Sequence, residues 1–364
     1  MQRNIFFFLI CMASIFSCKK ESNYSPAKAS TKQDDLIQSG KIISIPASDF
    51  DSTFTRYGGG WTGGDGAFST RLPDGRDVWV FGDSFLDTVY PDRSRPAAPL
   101  IHNCLAVTDK SGSFITLHPG KAANPDAYFI PPQNGQYYWP TGLFTIPRRN
   151  ELYVFLDRIQ TGIHGGFSTA GIDIAVIQLP QLTIKKIIPF YTGGHINWGA
   201  SFLDDGRYMY MYGTESVKYN KFIHAARIDK EAGNIIASLR YYDGANWVTD
   251  SAASARIKGN VSEFYSMFIY HNKYYLLSQG KLLTPDIFIW DAAGPAGPFT
   301  NQRLVYTTPQ TQGTIYTYNP TVNTQFTENG GLLIGYSTNS TDFLELFTNA
   351  DASRPDFIRA YNWE

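Results

Sequence analysis

The segment that decides the fold is residues 63–83, which read GGDGAFSTRLPDGRDVWVFGD. It begins with a small polar motif and continues as an apolar strand. It then turns at Pro73-Asp74-Gly75 and returns as a second strand rich in aromatic and branched residues. Asp-Gly between two such runs is typical of a hairpin turn. The segment therefore predicts an antiparallel β-hairpin whose two ends return to the same edge of a sheet.

The same hairpin pattern recurs along the chain. The five copies occupy residues 63–83, 138–157, 196–213, 262–278 and 318–337. Their turns are about 55 to 75 residues apart, with no heptad pattern or βαβ alternation between them. Regular β units of this length predict an all-β fold, a five-bladed β-propeller whose blades are four-stranded antiparallel sheets. A β-sandwich with long loops is the alternative, but it does not explain the fivefold recurrence.

Strands outside the hairpins complete this prediction. Residues 172–177 and 222–228 are candidate outer strands, because each is a short apolar run of strand length. Residues 357–361 are predicted to pair with a strand near the other end of the chain, residues 41–45. Such a pairing would close the ring of blades.

The composition is that of a large folded domain. Of the 364 residues, 43% are hydrophobic, 15% are aromatic and only 17% are charged, which excludes a disordered chain. The 31 Lys and Arg residues nearly balance the 32 Asp and Glu residues. With no basic block after the first twenty residues, nucleic acid is not expected as a partner.

The first forty residues are predicted to lie outside the domain. Residues 1–18 resemble a bacterial lipoprotein signal peptide, with an apolar run too short to span a bilayer and a lipobox-like ending, Ile15-Phe16-Ser17-Cys18. The alternative is an ordinary signal peptide that contains a cysteine. Residues 19–40 read as a polar tether, and 41–364 as one propeller domain. We therefore expect a monomer held in the bacterial cell envelope by a lipid on Cys18. The protein would face either the periplasm or the exterior.

Removal of the signal peptide and lipidation would leave Cys104 as the one thiol of the folded part. An internal disulfide and a cysteine-based metal site are then both excluded. The six histidines show no metal-ligand spacing, so no cofactor is expected to be required. A structural calcium ion held by carbonyl and carboxylate oxygens remains open.

Carboxylates from several hairpins are predicted to meet at one mouth of the propeller channel. Asp65 and Asp83 are equidistant from Asp74 at the turn, so the hairpin makes them cross-strand neighbours or nearly so. The same construction gives three further pairs, namely Trp139 with Asp157, Asn197 with Gly213 beside Glu215, and Glu263 with Gln279. Glycoside hydrolysis needs such a group of carboxyls, because one protonates the leaving oxygen while another acts as base or nucleophile.

These hairpin ends supply the candidate site residues. Asp65, Glu263 and Asp83 are the candidate catalytic carboxylates. The candidate substrate-binding residues are Trp61, Trp139, Asp157, Arg158, His195, Asn197, Trp198, Glu215 and Asn319. The tryptophans are included because aromatic rings can stack on a sugar.

Two motifs carry a resemblance to known families, WTGGDG at 61–66 and FGDS at 81–84. With them the chain resembles the bacterial propellers grouped as domains of unknown function 4185 and 5005. It resembles more distantly the five-bladed glycosidases of the family 43 arabinanase and xylosidase group. Some members of the 4185 family are regarded as endo-acting enzymes on D-arabinan. The resemblance covers nearly all of the chain after the tether and implies an arabinan-like polysaccharide or oligosaccharide substrate.

The family 43 resemblance also implies roles for three positions and an inverting reaction. Asp65 lies where the family has its general base, and Glu263 where it has its general acid. The third family carboxylate would open blade three, where this chain has Asn197. Either Asp83 takes over that task, or the family mechanism is not used.

The candidates also have purely structural interpretations. Asp65 could be a turn residue, Asp83 could tie a loop to a strand, Asp157 and Arg158 could form a local ion pair, Glu215 could be solvated, and His195 could be a hydrogen-bonded structural residue.

We expect a glycoside hydrolase with its active site at the channel mouth. The alternative is a non-catalytic cell-surface propeller that binds glycans, which Asn197 favours. A purely structural scaffold is a third possibility.

Overall fold

The computed structural model describes residues 40–95, 98–121, 124–162, 166–191, 194–280 and 283–364. The predicted signal peptide, Cys18 and all but the last residue of the predicted tether lie outside these ranges. In the part of the chain that is described, no helix is long and apolar enough to cross a membrane.

The described residues form an all-β fold with two short helices. The strands are β1 (Ile43–Pro46), β2 (Trp61–Arg71), β3 (Asp77–Leu86), β4 (Leu100–Ile101), β5 (Cys104–Thr108), β6 (Phe114–Leu117), β7 (Gly120–Lys121), β8 (Asn124–Pro125), β9 (Gln136–Ile146), β10 (Glu151–Thr161), β11 (Phe167–Gln178), β12 (Thr183–Tyr191), β13 (Ile196–Asp204), β14 (Tyr208–Val217), β15 (Asn220–Asp229), β16 (Arg240–Tyr242), β17 (Trp247–Val248), β18 (Arg256–Gly259), β19 (Ser266–Tyr270), β20 (Lys273–Gln279), β21 (Asp286–Ala292), β22 (Thr300–Thr307), β23 (Ile315–Val322), β24 (Leu332–Ser340) and β25 (Asp356–Tyr361). The α-helices are α1 (Ser48–Phe54) and α2 (Glu345–Thr348). Short 3-10 turns occupy Pro147–Arg149, Ser251–Ala253, Thr324–Phe326 and Ala350–Ser353.

These strands make the five predicted antiparallel blades. Blade one is β2-β3-β5-β6, blade two is β9 to β12 and blade four is β19 to β22. Blade three is built on β13-β14-β15-β16 and blade five on β23-β24-β25-β1. Blades one and three carry additional short strands, because β4 pairs with β3, β17 with β16 and β18 with β15. The first strands of neighbouring blades contact one another around the axis, so β2, β9, β13, β19 and β23 line the channel.

The ring closes as the sequence predicted. β1 pairs antiparallel with β25, with Ile43 opposite Tyr361 and Pro46 opposite Ile358. The fifth blade therefore takes its outer strand from the beginning of the domain and its other three strands from the end. This closure ties the two ends of the domain into one sheet.

The core lies between neighbouring sheets. Each large apolar cluster joins two blades, as when Phe68 and Val80 of blade one pack with Leu152 and Val154 of blade two. Both faces of each sheet are covered in this way. The return strands consequently read as nearly continuous apolar and aromatic runs, and their Tyr and Phe side chains are mostly core.

The inner strands bend where they approach the cavity described below. Blades one, two, three and five each have a register shift at that end, at Gly64–Phe68, Pro140–Gly142, Trp198–Ser201 and Tyr318–Thr321. Ala67 and Asn319 take positive φ angles of 57° and 52° at two of these bulges. Bulges re-aim side chains and are common beside functional sites. Here they set the directions of Asp65 and Asn319.

Candidate active site

The starts of the inner strands surround one cavity of about 790 Å³. All five blades contribute to its wall. Its lining includes Asp65 and Asp83 from blade one, Trp139 and Asp157 from blade two, Asn197 and Thr214 from blade three, Glu263 and Phe264 from blade four, and Tyr318 and Asn319 from blade five. The structure therefore brings together four carboxylates that the sequence placed at the channel mouth.

Asp65 lies at a bulge in the β2-β3 ladder. Gly64 is opposite Ser84 and Gly66 is opposite Phe81, so Asp65 faces Gly82 and Asp83 together. The predicted cross-strand proximity of Asp65 and Asp83 is thus present. Asp65 is held from blade five, where the Tyr318 hydroxyl hydrogen-bonds to it and Asn339 Nδ2 donates to Oδ1 at 3.4 Å.

Burial and the charge of Asp83 together change the acidity of Asp65. Burial favours the uncharged carboxyl, and the neighbouring carboxylate opposes a second negative charge. These two effects raise the pKa of Asp65 from 3.8 to about 7, against the opposing hydrogen bonds from Tyr318 and Asn339. Asp65 can therefore exchange a proton near neutral pH, which a simple turn residue does not need to do.

Asp83 is fixed by two side chains from neighbouring segments. Trp139 Nε1 donates to its Oδ1 at 2.9 Å, and His102 Nδ1 lies 2.9 Å from the same oxygen. About a third of the Asp83 side chain is exposed. Its carboxylate is thus oriented across the boundary between blades one and two and still faces the cavity.

Asp157 is the buried carboxyl of the site. It lies directly opposite Trp139 in the β9-β10 ladder, as predicted, and is 5% exposed. Asn197 Nδ2 donates to its Oδ2 at 2.7 Å. Burial, reinforced by the negative charge of Glu263, raises the pKa of Asp157 from 3.8 to about 7. Asp157 is therefore a second carboxyl that exchanges its proton near neutral pH.

Two buried oxygens beside this hydrogen bond have no donor among the described residues. They are Asp157 Oδ1 and Asn197 Oδ1, and both residues line the cavity. Leaving a buried acceptor unsatisfied costs about 1–3 kcal/mol. This corner of the cavity is therefore suited to a ligand that carries hydrogen-bond donors.

Glu263 reaches the cavity from the loop before β19. Its backbone carbonyl accepts a hydrogen bond from Thr214 Oγ1 at 2.7 Å, and its carboxylate pairs with Lys221 and lies 3.5 Å from Ser216 Oγ. The predicted pairing with Gln279 was wrong. The β19-β20 ladder begins at Ser266, and Gln279 bonds instead to Thr284 and Thr317.

Two of the three candidate tryptophans are core residues. Trp61 is completely buried against Phe54 and Phe81, and Trp198 is completely buried against Tyr241. Their assignment as substrate-binding residues was therefore wrong, because each ring points into the layer between two blades. Trp139 alone of the three lines the cavity.

Arg158 and Glu215 also have structural roles. Arg158 follows Asp157 on the strand, so its side chain points to the opposite face, where Nη1 bonds to Asp173 Oδ2 at 2.9 Å. Glu215 is buried in a cluster with Arg256 and His224, which lowers its pKa from 4.5 to about 2. Neither side chain lines the cavity, and the expectations of an Asp157–Arg158 pair and of a solvated Glu215 were both wrong.

The remaining candidates lie at the cavity. Asn197 is opposite Thr214, one residue from the predicted partner Gly213. His195 is largely exposed at the rim, with Nε2 at 3.5 Å from Glu215 Oε1, and Asn319 lines the wall of blade five. Among the described residues, no group of three or more His, Cys, Asp and Glu side chains is placed to hold a metal ion.

Sequence reasoning missed several residues of the site. Tyr318 and Asn339 hold Asp65, Lys221 pairs with Glu263, and Phe167 presents an exposed ring in the cavity wall. Tyr318 stood in a recognised motif, Tyr318-Asn319-Pro320, so alternation along the strand could have suggested it. The other three carry no local signal, because contacts between blades bring Asn339 and Lys221 to the site and Phe167 packs on Trp139, which is distant in sequence but in the same blade.

The acidity of Asp157 predicts how stability depends on pH. Its folded pKa is raised, so its contribution to stability is fully present below pH 3.8 and is lost as pH rises through about 7. Asp157→Asn removes this loss. We expect the variant to be more stable than the wild type at pH 8 by about 1–4 kcal/mol in urea unfolding, with little difference near pH 4.

Asp173→Asn is the matched control for that measurement. Asp173 is equally buried on the neighbouring strand but is paired with Arg158, so its replacement should lower stability at pH 8. A wild type more stable at pH 8 than Asp157→Asn would contradict the environment described for Asp157.

One family model matches most of the chain. The family model described as "Domain of unknown function (DUF5005)" matches residues 47–363. The chain belongs to the DUF5005 family. The match covers the propeller from the loop after β1 to the end of the last blade, and no curated protein matches the sequence.

Solved structures show the same fold for this DUF5005 member. A crystal structure from Bacteroides ovatus ATCC 8483, described as a "putative hydrolase", superposes with a TM-score of 0.77 at 20% identity and covers 93% of each chain. At this identity the similarity shows the fold alone.

Two glycosidase structures are more distant. An exo-beta-1,3-galactanase from Phanerochaete chrysosporium has a TM-score of 0.48 and 11% identity, covering 81% of this chain and 60% of that one. A GH43_1 enzyme from Xanthomonas citri complexed with xylose has a TM-score of 0.47 and 13% identity, covering 89% and 91%. Similarity at this level carries no argument about activity.

Proposed function

We propose that this protein is a glycoside hydrolase whose active site is the cavity at the channel mouth. The observation that carries the proposal is the arrangement of the four carboxyls. Asp65 and Asp157 both have pKa values near 7, and each has a second carboxylate beside it, Asp83 and Glu263 respectively. Glycoside hydrolysis needs one protonated and one ionised carboxyl on either side of the scissile bond.

Asp65 is proposed as the general base that removes a proton from the attacking water. A base with a pKa near the working pH is strong enough to take the proton, and about half of it is ionised and available. Asp83 acts through Asp65 as a positioning residue, because its charge raises the pKa of Asp65. Tyr318 and Asn339 hold the Asp65 carboxylate in place from the adjoining blade.

Glu263 is proposed as the proton donor to the leaving oxygen. Its side chain is about one-third exposed, whereas Asp157 is buried, so Glu263 is the member of this pair that can reach a substrate. Asp157, whose pKa is raised to about 7 by burial and by the charge of Glu263, is the group beside Glu263 that holds a proton near neutral pH. Family 43 has its third carboxyl at the position of Asn197, and in this chain Asp157 takes its place. Asn197 orients the Asp157 carboxyl through the hydrogen bond to Oδ2.

The proposed substrate is a polysaccharide or oligosaccharide. Its hydroxyl groups would satisfy the unpartnered oxygens of Asp157 and Asn197, and its ring faces would contact Trp139 and Phe167. The arabinan-like substrate, the inverting outcome and the lipid anchor in the cell envelope are proposed from the sequence resemblance. A monomeric state is proposed as well, and no cofactor is proposed to be required; a structural calcium ion stays open.

One observation favours the second candidate function, a glycan-binding propeller without turnover. Lys221 pairs with Glu263 in the substrate-free protein, so its ammonium group occupies the carboxylate that would have to donate the proton. A proton donor must lose this pairing when substrate binds. If the pair between Lys221 and Glu263 persists when a glycan binds, the same cavity would hold the glycan without cleaving it.

The experiment that separates the two functions uses a panel of arabinans, xylans and galactans. Release of reducing ends is followed for the wild type, Asp65→Asn, Asp83→Asn and Glu263→Gln, and binding is measured by calorimetry in parallel. We expect release by the wild type and its loss in Asp65→Asn and Glu263→Gln, with urea unfolding confirming that the variants are folded.

Each other outcome has a definite meaning. Binding without release from any glycan would replace the hydrolase by the capture function. Neither binding nor release would contradict both functions. Full activity of Glu263→Gln would remove Glu263 from the proposed role and leave the Asp157 carboxyl as the remaining donor.

A further inference from the structure

A row of aromatic side chains leads from the cavity to the outer surface. In spatial order it consists of Phe167, Trp139, Tyr137 and His102, and we call it the aromatic row. The ring centroids of Phe167 and Trp139 are 4.8 Å apart, those of Trp139 and Tyr137 are 5.4 Å apart, and the Tyr137 and His102 rings stack at 3.8 Å. The rings are thus continuous from one end to the other.

Only part of this row belongs to the cavity itself. Phe167 and Trp139 are lining residues, whereas Tyr137 and His102 are outside the lining. Phe167 is 62% exposed, and nearly half of the His102 side chain is exposed. Large exposed aromatic surface beside a cavity marks a binding surface more often than a structural feature.

The strand register explains why these rings share a face. Tyr137 and Trp139 alternate with the buried Tyr138 on β9, so they point the same way. Trp139 stands opposite Asp157, and its indole nitrogen donates to Asp83. His102, the last ring of the row, lies 2.9 Å from the same carboxylate oxygen of Asp83, so the row is in contact with the carboxyl cluster through Trp139 and His102.

We infer that the aromatic row is a second sugar-binding site, which holds the units of a linear oligosaccharide next to the unit bound at the carboxyls. The inference rests on the proposed function and adds that the substrate is a chain of two or more sugars rather than a single residue. Aromatic faces bind the C–H face of a sugar ring, and the polar edges of Tyr137 and His102 can bond its hydroxyl groups. A continuous row suits successive units of one chain.

The size of the cavity agrees with this inference. At about 790 Å³ it is in the range that encloses ligands of several rings. The row extends it along the boundary between blades one and two. A chain lying there would pass over Asp83 on its way out of the site.

The test is a length series measured by calorimetry. Arabino-, xylo- and galacto-oligosaccharides of one to four units are titrated into the Asp65→Asn protein, which prevents turnover. We expect affinity to rise about 10-fold or more from one to three units for at least one series. With Phe167→Leu added, that gain should fall to about 3-fold or less, because leucine fills similar space without an aromatic face.

Two matched variants make the result specific. Phe167→Tyr keeps the ring and should keep the gain. Leu304→Ala removes an apolar side chain that is 51% exposed on β22, the outer strand of blade four, and should leave the gain unchanged.

The outcomes separate this inference from the proposed function. An affinity that does not depend on length, the absence of binding by every series, or a gain that survives Phe167→Leu would overturn the inference even if reducing ends are released. A length-dependent gain carried by Phe167 without any hydrolysis would support the second site and shift the function to glycan capture.

Discussion

Asp65→Asn is expected to lower kcat for glycan hydrolysis by about 10²- to 10⁴-fold, the range that general acid–base catalysis contributes. Asparagine has the same shape but cannot accept the proton of the attacking water. Its amide oxygen can still accept the hydrogen bond that Asn339 donates, so the local structure should persist. The measurement is kcat and KM on whichever glycan of the panel is cleaved.

The control for this prediction is Asp109→Asn. Asp109 is an exposed turn carboxylate of blade one that bonds to Ser111 and Ser113, away from the cavity lining. Its replacement should leave kcat within about 2-fold of the wild type. Asp65→Asn retaining more than a tenth of wild-type kcat would show that Asp65 is not the base.

The pH profile gives a second readout of the same assignment. Hydrolysis should rise with pH through about 7 as Asp65 ionises. In Asp83→Asn the neighbouring negative charge is gone, which lowers the pKa of Asp65 and moves this rising limb to lower pH. A purely structural effect of Asp83 would reduce the rate without moving the limb.

Arg158→Met is expected to destabilise the fold by about 3–5 kcal/mol, the usual consequence of leaving a buried charge unpaired. Asp173 is 2% exposed and bonds to Arg158 and to the hydroxyl of the fully buried Tyr138, at 2.5 Å. Without the guanidinium, the Asp173 carboxylate keeps only the tyrosine. Urea unfolding at pH 7 measures the loss.

A double variant isolates the pair. Arg158→Met combined with Asp173→Asn removes both charges, so it should be more stable than Arg158→Met alone. Glycan affinity of the folded Arg158→Met protein should match that of the wild type, because the side chain points away from the cavity. A large loss of affinity with unchanged stability would restore Arg158 to the binding site.

The fold could be predicted because its evidence is local and repeated. Each hairpin has a recognisable turn motif, such as Asp74-Gly75, between two apolar runs. Five such hairpins at similar spacing are compatible with few β architectures. Ring closure by residues 41–45 and 357–361 followed from the need to complete a fifth sheet. β4, β17 and β18 were not foreseen, because strands of two to four residues carry too little pattern.

The positions of the site residues could be predicted only where the two strands of a hairpin pair in the register obtained by counting residues outward from the turn. In blade one, bulges in both strands cancel, so Asp65 and Asp83 meet as the spacing implied. In blade three the turn is centred beyond Asp205, since Asp204 lies opposite Met209, and the bulge between Trp198 and Ser201 compensates only in part, so Asn197 faces Thr214 instead of Gly213. Neither the exact centre of a turn nor a bulge has a reliable sequence signal, so this error could not be avoided.

Aromatic residues were the other source of error. Because both faces of a propeller sheet are buried, the sequence cannot distinguish Trp61, which is core, from Trp139, which faces the cavity. Phe167 was missed for the opposite reason, since an isolated aromatic residue at the start of β11, the third strand of blade two, has no motif around it. Only the tertiary packing around each ring decides which of them is exposed.

The central claim is that the cavity cleaves a glycosidic bond with inversion, and ¹H NMR of a reacting mixture tests it most directly. The wild type is incubated with a glycan that it binds, and the anomeric protons are followed from the first minutes. We predict a new anomeric signal of configuration opposite to that of the cleaved linkage, absent in Asp65→Asn. A first product of retained configuration would contradict the assignment of Asp65 as a base acting on water, and bound glycan with no new anomeric signal would contradict hydrolysis itself.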